Sequence, residues 1–300
     1  MKPNVFLIGF PKSGTTSVYS SLATHPQVLA PRRKEPGDWE NLSNLDGLGA
    51  DNYLALYATT SEFLVAVDGT TRYSLNPLAA KKIKQFSPKA KIIIGIREPL
   101  SYFYSMAFQV EKNTGIERDL EEDLKSRGRK KWTHLKYVEI LNSYFDEFGR
   151  KNVLVFTHEE LKINQKDLLK RIVIFLGLDT QIPVSEVVSN VSKRHRTGMH
   201  ESLYRAFVLS DLSISLRSRL KKSRFLRERV LPVLRKKMED ASFEVGGVRK
   251  RLPPALEKAY RESYRNEVAE LSDLLGINLA SLWSGKDFSY VSNESSQTRT

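Results

Sequence analysis

The run Gly9-Phe10-Pro11-Lys12-Ser13-Gly14-Thr15-Thr16 has the residue types that hold a phosphate group. An apolar stretch, Val5 to Ile8, precedes it, and a helical pattern with Val18 and Leu22 follows. In a strand-to-helix turn the backbone N–H groups face inward, and the helix presents its positive end to an anion. Gly14 lets the backbone approach closely, Lys12 supplies a point charge, and Ser13, Thr15 and Thr16 supply hydroxyl donors. The spacing follows the nucleotide-kinase loop G-x-x-x-x-G-K-[ST] except at one place. Thr15 stands where the lysine would, and Lys12 has moved inside the loop, where it meets the ligand near its terminal phosphate.

Other residues could serve the same chemistry. Arg97 ends the β-branched run Lys91-Ile-Ile-Ile-Gly-Ile96, and Ser105 follows eight residues later. A guanidinium at a strand terminus offers a bidentate fork for phosphate, and a hydroxyl in the next helix adds a donor. Glu35 sits in a basic stretch with Arg32, Arg33 and Lys34, and Asp38 follows closely. Asp68 ends a second apolar run and leads into Gly69-Thr70-Thr71-Arg72-Tyr73. The chain has no cysteine, so disulfides and thiolate metal sites are excluded, and its five histidines form no metal-ligand spacing. The expectation is chemistry without a metal.

These residues need a scaffold, and the chain alternates strand-like and helix-like segments. Strands are expected at Val5–Ile8, Phe63–Val67, Lys91–Ile96 and Asn152–Phe156. Helices are expected after the loop, at Pro77–Phe86, Tyr102–Val110, Trp132–Phe148 and Gln165–Leu176, and as one long helix over Leu256–Leu275 closed by Gly276. Short β-branched runs between helices indicate strands buried on both faces. The fold class is therefore α/β: a single P-loop-like domain, with a central, mostly parallel sheet flanked by helices and a helical C-terminal region. Residues 1–283 form the domain, and 284–300, rich in Ser, Thr and Asn, read as a flexible tail.

Pro-Lys-Ser-Gly-Thr-Thr at 11–16, behind an N-terminal strand, resembles the 5′-phosphosulfate loop of PAPS-dependent sulfotransferases. Arg97 and Ser105 resemble the pair that holds the 3′-phosphate of PAPS in that family. Val153 to Leu178, through Glu160-Leu161 and Phe175-Leu-Gly, resembles its late strand, turn and helix end. Leu256 to Trp283 resembles its C-terminal helix, so the likeness covers nearly the whole chain.

The resemblance implies roles. Lys12 stabilises the leaving group as PAP departs, and PAPS is the cosubstrate, with Pro11, Lys12, Ser13, Gly14, Thr15 and Thr16 around its phosphosulfate. Lys34-Glu35-Pro36 resembles the Lys-Glu motif of the glycan-type, heparan-sulfate branch, which makes Glu35 the general base. That branch continues with His and aromatics, whereas this chain continues Gly37-Asp38-Trp39, leaving Asp38 as a substitute base or substrate contact. Asp68 and Arg72 fall in a segment that lines the site, with Arg72 placed for the donor sulfate or an anionic acceptor. Asn190 to Gly198 resembles the loop that closes over the nucleotide, which nominates Lys193, Arg194, Arg196 and Gly198.

Net charge is +13 and points to anionic partners. Between Arg217 and Lys237 ten Lys or Arg face one acid, Glu228, and carry nine of those thirteen net charges. This segment suits an acidic glycan or a membrane surface. The leading expectation is a sulfotransferase acting on a hydroxyl or amine of a carbohydrate or glycolipid. A deviant P-loop kinase and a basic nucleic-acid-binding protein are the alternatives, the latter without a recognised motif. No run of 18 to 20 apolar residues or secretory leader is evident, and a bacterial cytoplasm is the expected location.

Overall fold

Five parallel strands form one sheet in the order β2-β3-β1-β4-β5: Val5–Leu7 (β1), Val28–Leu29 (β2), Val65–Asp68 (β3), Lys91–Ile96 (β4) and Val153–Thr157 (β5). The structure is a computed structural model and describes residues 1–32, 34–36, 49–114, 117–125, 135–187 and 251–284. Asp38, the 190–198 loop, the basic 217–237 segment and the tail beyond Ser284 lie outside the described residues.

The chain divides into two compact units, one of residues 1–103, 127–189 and 253–300, the other of 104–126 and 190–252. In the first, helices cover both faces of the sheet. Alternate side chains Val5, Leu7, Val65, Val67, Ile93 and Phe156 pack against Thr15–Leu22 (α1) and, later in the chain, Gln165–Leu176. On the opposite face Phe6 and Ala66 meet Gly49–Ala55 (α2) and Leu78–Phe86 (α3), with Tyr53, Tyr57 and Phe86 in one aromatic cluster. A strand alternating sides every residue can fill both interfaces only if nearly all its residues are apolar. The burial of every residue in β1 and β3 fits this.

Further along are Pro99–Thr114 (α4), Leu120–Lys125 (α5), Tyr137–Phe148 (α6), His158–Ile163 (α7) and Gln165–Leu176 (α8). The chain closes with Pro254–Glu262 (α9), Arg265–Leu275 (α10) and Leu279–Ser284 (α11). In the second unit, Asp119 accepts the amides of Glu121 and Glu122 at the start of α5. Arg118 pairs there with the buried Asp123, and Tyr104 accepts the amide of Leu252 at 2.9 Å.

The strand expected at Phe63–Val67 runs Val65–Asp68, the helix expected at Tyr102–Val110 runs Pro99–Thr114, and three further departures have a structural reason. Val28–Leu29 is a strand, paired with β3 at Val65 and Ala66, where no strand was expected. Within the expected helix Trp132–Phe148, residues 132–134 lie outside the described residues, and Leu135 and Lys136 are not helical. The amide of the buried Leu135 donates to the Tyr264 hydroxyl at 3.0 Å, a tertiary bond in place of a helical one. The same tyrosine interrupts the expected helix 256–275: α9 ends at Glu262, and Tyr264 takes φ −106°, ψ 4° before α10.

Candidate functional site

The chain leaves β1 towards β2 and β3 on one side, and β4 lies on the other. In open parallel sheets such a reversal opens a crevice at the carboxyl ends of the strands. The phosphate loop follows β1, Lys34 and Glu35 follow β2, Gly69 to Arg72 follow β3, Arg97 follows β4, and His158 follows β5.

The loop is wound tightly. The amides of Ile8 and Phe10 bond to the carbonyls of Ile93 and Gly95, which extends the pairing of β1 with β4 beyond the strand. Lys12 has φ 69° and Gly14 has φ 87°, so both lie in the left-handed region around Ser13. For a lysine this costs about 1 kcal/mol or more. Gly14 is required twice over: a Cβ there would come 2.2 Å from Leu161 Cδ2 and 3.2 Å from His158 Nδ1. Ser13 is fully buried, and its hydroxyl has no hydrogen-bond partner among the described residues. Helix α1 begins with no side-chain cap and no acid in its first turn. An uncapped helix start with an orphaned buried hydroxyl fits an incoming anion.

Arg97 joins this loop from β4. Its Nη1 donates to the Lys12 carbonyl oxygen at 2.9 Å, and its own carbonyl accepts from the Tyr137 hydroxyl at 2.7 Å. Tyr137 packs edge-on against Phe10, ring centres 4.4 Å apart. Next to Arg97, Glu98 is buried and holds Arg261 at 2.6 Å and the amide of Ser101. Trp283 donates to Glu159 at 3.0 Å, so the C-terminal helices brace both Arg97 and His158 through their neighbours.

His158 was not singled out in the sequence. It opens α7 beside Gly14, and its pKa is pushed down to about 3, by burial first and then by Arg97, Lys162 and Lys12. It is therefore neutral at ordinary pH, a polarisable ring at a cationic loop. A histidine directly after a parallel strand, at the carboxyl edge of the sheet, was the available signal.

On the other side of β1, Glu35 Oε1 accepts from Lys34 Nζ at 3.2 Å and from Thr71 Oγ1 at 3.0 Å. Lys34 Nζ also donates to the Gly69 carbonyl at 3.1 Å. Burial pushes the Lys34 ammonium down, and Glu35 and Asp68 push it back up. Asp68 has no accessible surface. Its Oδ2 accepts from Tyr53 at 2.6 Å and Tyr73 at 3.1 Å, and its Oδ1 from the Thr70 amide at 2.8 Å. Burial raises its pKa, against the pull of those donors. The structure thus makes Asp68 an anchor for the turn that carries Thr71, with no surface offered to a substrate. Arg72 is exposed on the 3₁₀ turn Thr71–Leu75. Ser105 is half-buried on α4 within the second unit.

Among the described residues no group of three or more His, Asp or Glu is placed to hold a metal ion. None of the described helices is long and apolar enough to cross a membrane.

Residues 2–227 match the family described as sulfotransferase domain. The chain is 24% identical over 199 residues to the bifunctional heparan sulfate N-deacetylase/N-sulfotransferase 1 of Caenorhabditis elegans, covering 59% of this chain and 22% of that protein. It is 24% identical over 209 residues to protein-tyrosine sulfotransferase 2 of Gallus gallus, covering 62% of this chain and 55% of that protein. It thus spans less than two thirds of either relative. A sulfotransferase from Alicyclobacillus acidocaldarius has a similar structure, with TM-score 0.53, 22% identity, and 70% of this chain and 92% of that one covered. Mouse SULT7A1 complexed with PAP gives TM-score 0.50 at 17% identity, covering 92% and 89%. At these identities the structural likeness is one of fold.

Proposed function

The chain belongs to the sulfotransferase domain family, and on that footing we propose that it transfers the sulfuryl group of PAPS to a hydroxyl or amine of a carbohydrate or glycolipid. The observation that carries the donor half is the loop itself. Lys12 and Gly14 are both left-handed, Ser13 offers a buried hydroxyl with no partner among the described residues, and Arg97 is tied to the Lys12 carbonyl. When bound, PAPS supplies the sulfuryl group and leaves as PAP. The loop amides and the hydroxyls of Ser13, Thr15 and Thr16 bind its 5′ end. Lys12 offsets negative charge on the oxygen that leaves, and Arg97 offers its guanidinium to the 3′-phosphate. Glu35 takes the proton from the acceptor.

The acceptor class rests on the Lys34-Glu35 motif and on the heparan sulfate N-sulfotransferase relative. The protein-tyrosine sulfotransferase relative makes a tyrosine peptide the natural competitor. Thr15 in place of the kinase lysine argues against ATP as donor.

Calorimetric titration with PAP, against ATP plus magnesium, tests the donor. Tight PAP binding with weak ATP binding is expected, and the reverse would return the chain to phosphoryl transfer. Incubation with labelled PAPS and either N-desulfated heparan or a tyrosine peptide tests the acceptor. Label on the peptide alone would overturn the carbohydrate assignment.

A further inference from the structure

Glu35 lies on a connection, not on a helix or strand, and its side chain is 45% exposed. A glutamate on such a segment explores many rotamers, which is poor placement for a group that must meet one proton. Yet its Oε1 carries two donors, Lys34 Nζ and Thr71 Oγ1. Among the described residues Oε2 has no protein hydrogen bond.

Both donors are themselves fixed to the end of β3. Lys34 has only 16% of its side chain exposed. A Cβ on Gly69 would come 2.8 Å from the Lys34 carbonyl oxygen and 3.0 Å from its Cγ, so Lys34 lies directly on the glycine. From there its Nζ bridges the Gly69 carbonyl and Glu35. Thr71 is buried, and its carbonyl accepts from Ser74 Oγ at 2.8 Å. The turn between them is pinned by the Thr70 amide on Asp68.

We propose that Lys34 and Thr71 are positioning residues of this transferase: together they hold Oε1 of Glu35 and so present Oε2 to the acceptor proton. The proposal deepens the reading of Glu35 as the base and rests on it. In the step served, the acceptor O–H or N–H bond breaks as its proton passes to Oε2. The acceptor oxygen or nitrogen bonds to sulfur, and the bond from sulfur to the bridging oxygen of PAPS breaks, releasing PAP.

The test uses Thr71→Val, which removes the hydroxyl at nearly constant volume, and Lys34→Met, with Thr71→Ser as the conservative variant. The first readout is independent of turnover. In protein carrying ¹³C-carboxyl glutamate, the Glu35 resonance is assigned by its disappearance in Glu35→Gln. It is expected to move in Thr71→Val and Lys34→Met and to return towards the wild-type position in Thr71→Ser. The second is PAP release from PAPS, with water as acceptor in every preparation, and with N-desulfated heparan or a tyrosine peptide where either raises the rate. Losing one hydrogen bond to a charged group predicts a fall in kcat of about tenfold or more, with PAP affinity and KM for PAPS within about twofold. Thr71→Ser recovers most of that loss. A carboxyl resonance unmoved in both variants overturns the proposal, as does PAP affinity falling in step with kcat. Turnover kept in Glu35→Gln removes the base assignment instead, and the carboxyl resonance then still decides whether the two donors hold it.

Discussion

Arg97 Nη1 donates to the backbone carbonyl of Lys12 across 2.9 Å, so the cation after β4 and the cation within the phosphate loop are mechanically one piece. Losing this contact frees the loop and removes a charge from it together. Arg97→Met is expected to weaken PAP binding about 10- to 100-fold by calorimetry, the range for hydrogen bonds to a charged group. Arg97→Lys recovers little, because an ammonium lacks the planar fork with which the guanidinium reaches the Lys12 carbonyl while facing an anion. PAP binding left intact in Arg97→Met would remove Arg97 from the donor site.

The left-handed backbone of Lys12 sets stability against function. Lys12→Gly relieves the strain at φ 69° and removes the charge. The variant is expected to unfold at higher urea concentration, by about 1 kcal/mol, while sulfuryl transfer is lost. A destabilised Lys12→Gly would show that the lysine side chain supports the fold.

Gly14 predicts the opposite. At φ 87°, with Leu161 Cδ2 where a Cβ would sit, Gly14→Ala forces the loop away from α7. A loss of about 2 kcal/mol or more is expected in urea unfolding, from strain and overpacking together. A paired Leu161→Ala opens the space but leaves the backbone strain, so it restores only part of the loss.

His158 makes a pH prediction. Its folded pKa near 3 lies below the unfolded value of 6.5, so between those values the unfolded chain binds more protons than the native one. The group therefore costs stability as pH falls from about 6.5 towards 3, and costs nothing above that window. Its imidazole NMR signals are expected to stay constant from pH 8 to 5, and a His158→Gln variant should show a shallower loss of stability on the acid side. A midpoint near 6.5 for His158 would contradict its burial beside the loop.

The sequence made the phosphate side readable because strand, loop and helix are contiguous there. Lys91–Ile96 and Gln165–Leu176 match their predicted bounds because β-branched runs and a Gly C-cap are local signals. Two features were illegible for the opposite reason. Val28–Leu29 is too short to show a period, and is a strand only because β3 lies alongside it. Tyr264 divides a helical pattern because its hydroxyl serves Leu135, 129 residues away in the chain. The acceptor side was half legible. Glu35 could be nominated from its neighbours, but its anchoring by Thr71, and the withdrawal of Asp68 into a tyrosine cage, depend on the fold bringing distant segments together.

The position of β1 between β3 and β4 gives the sheet a seam. On one side, β4 and β5 deliver Arg97 and His158 to the phosphate loop; on the other, the connections after β2 and β3 deliver Lys34, Glu35 and Thr71. The two halves are consecutive in sequence, since everything from β2 to Thr71 is spelled out before β4 begins. A single exchange of the chain between α1 and α3 would therefore swap Lys34, Glu35 and Thr71, the residues proposed to serve the acceptor, while leaving Lys12 and Arg97, those proposed to hold the donor, untouched. On this scaffold, new acceptor preferences can arise by recombination of one contiguous cassette.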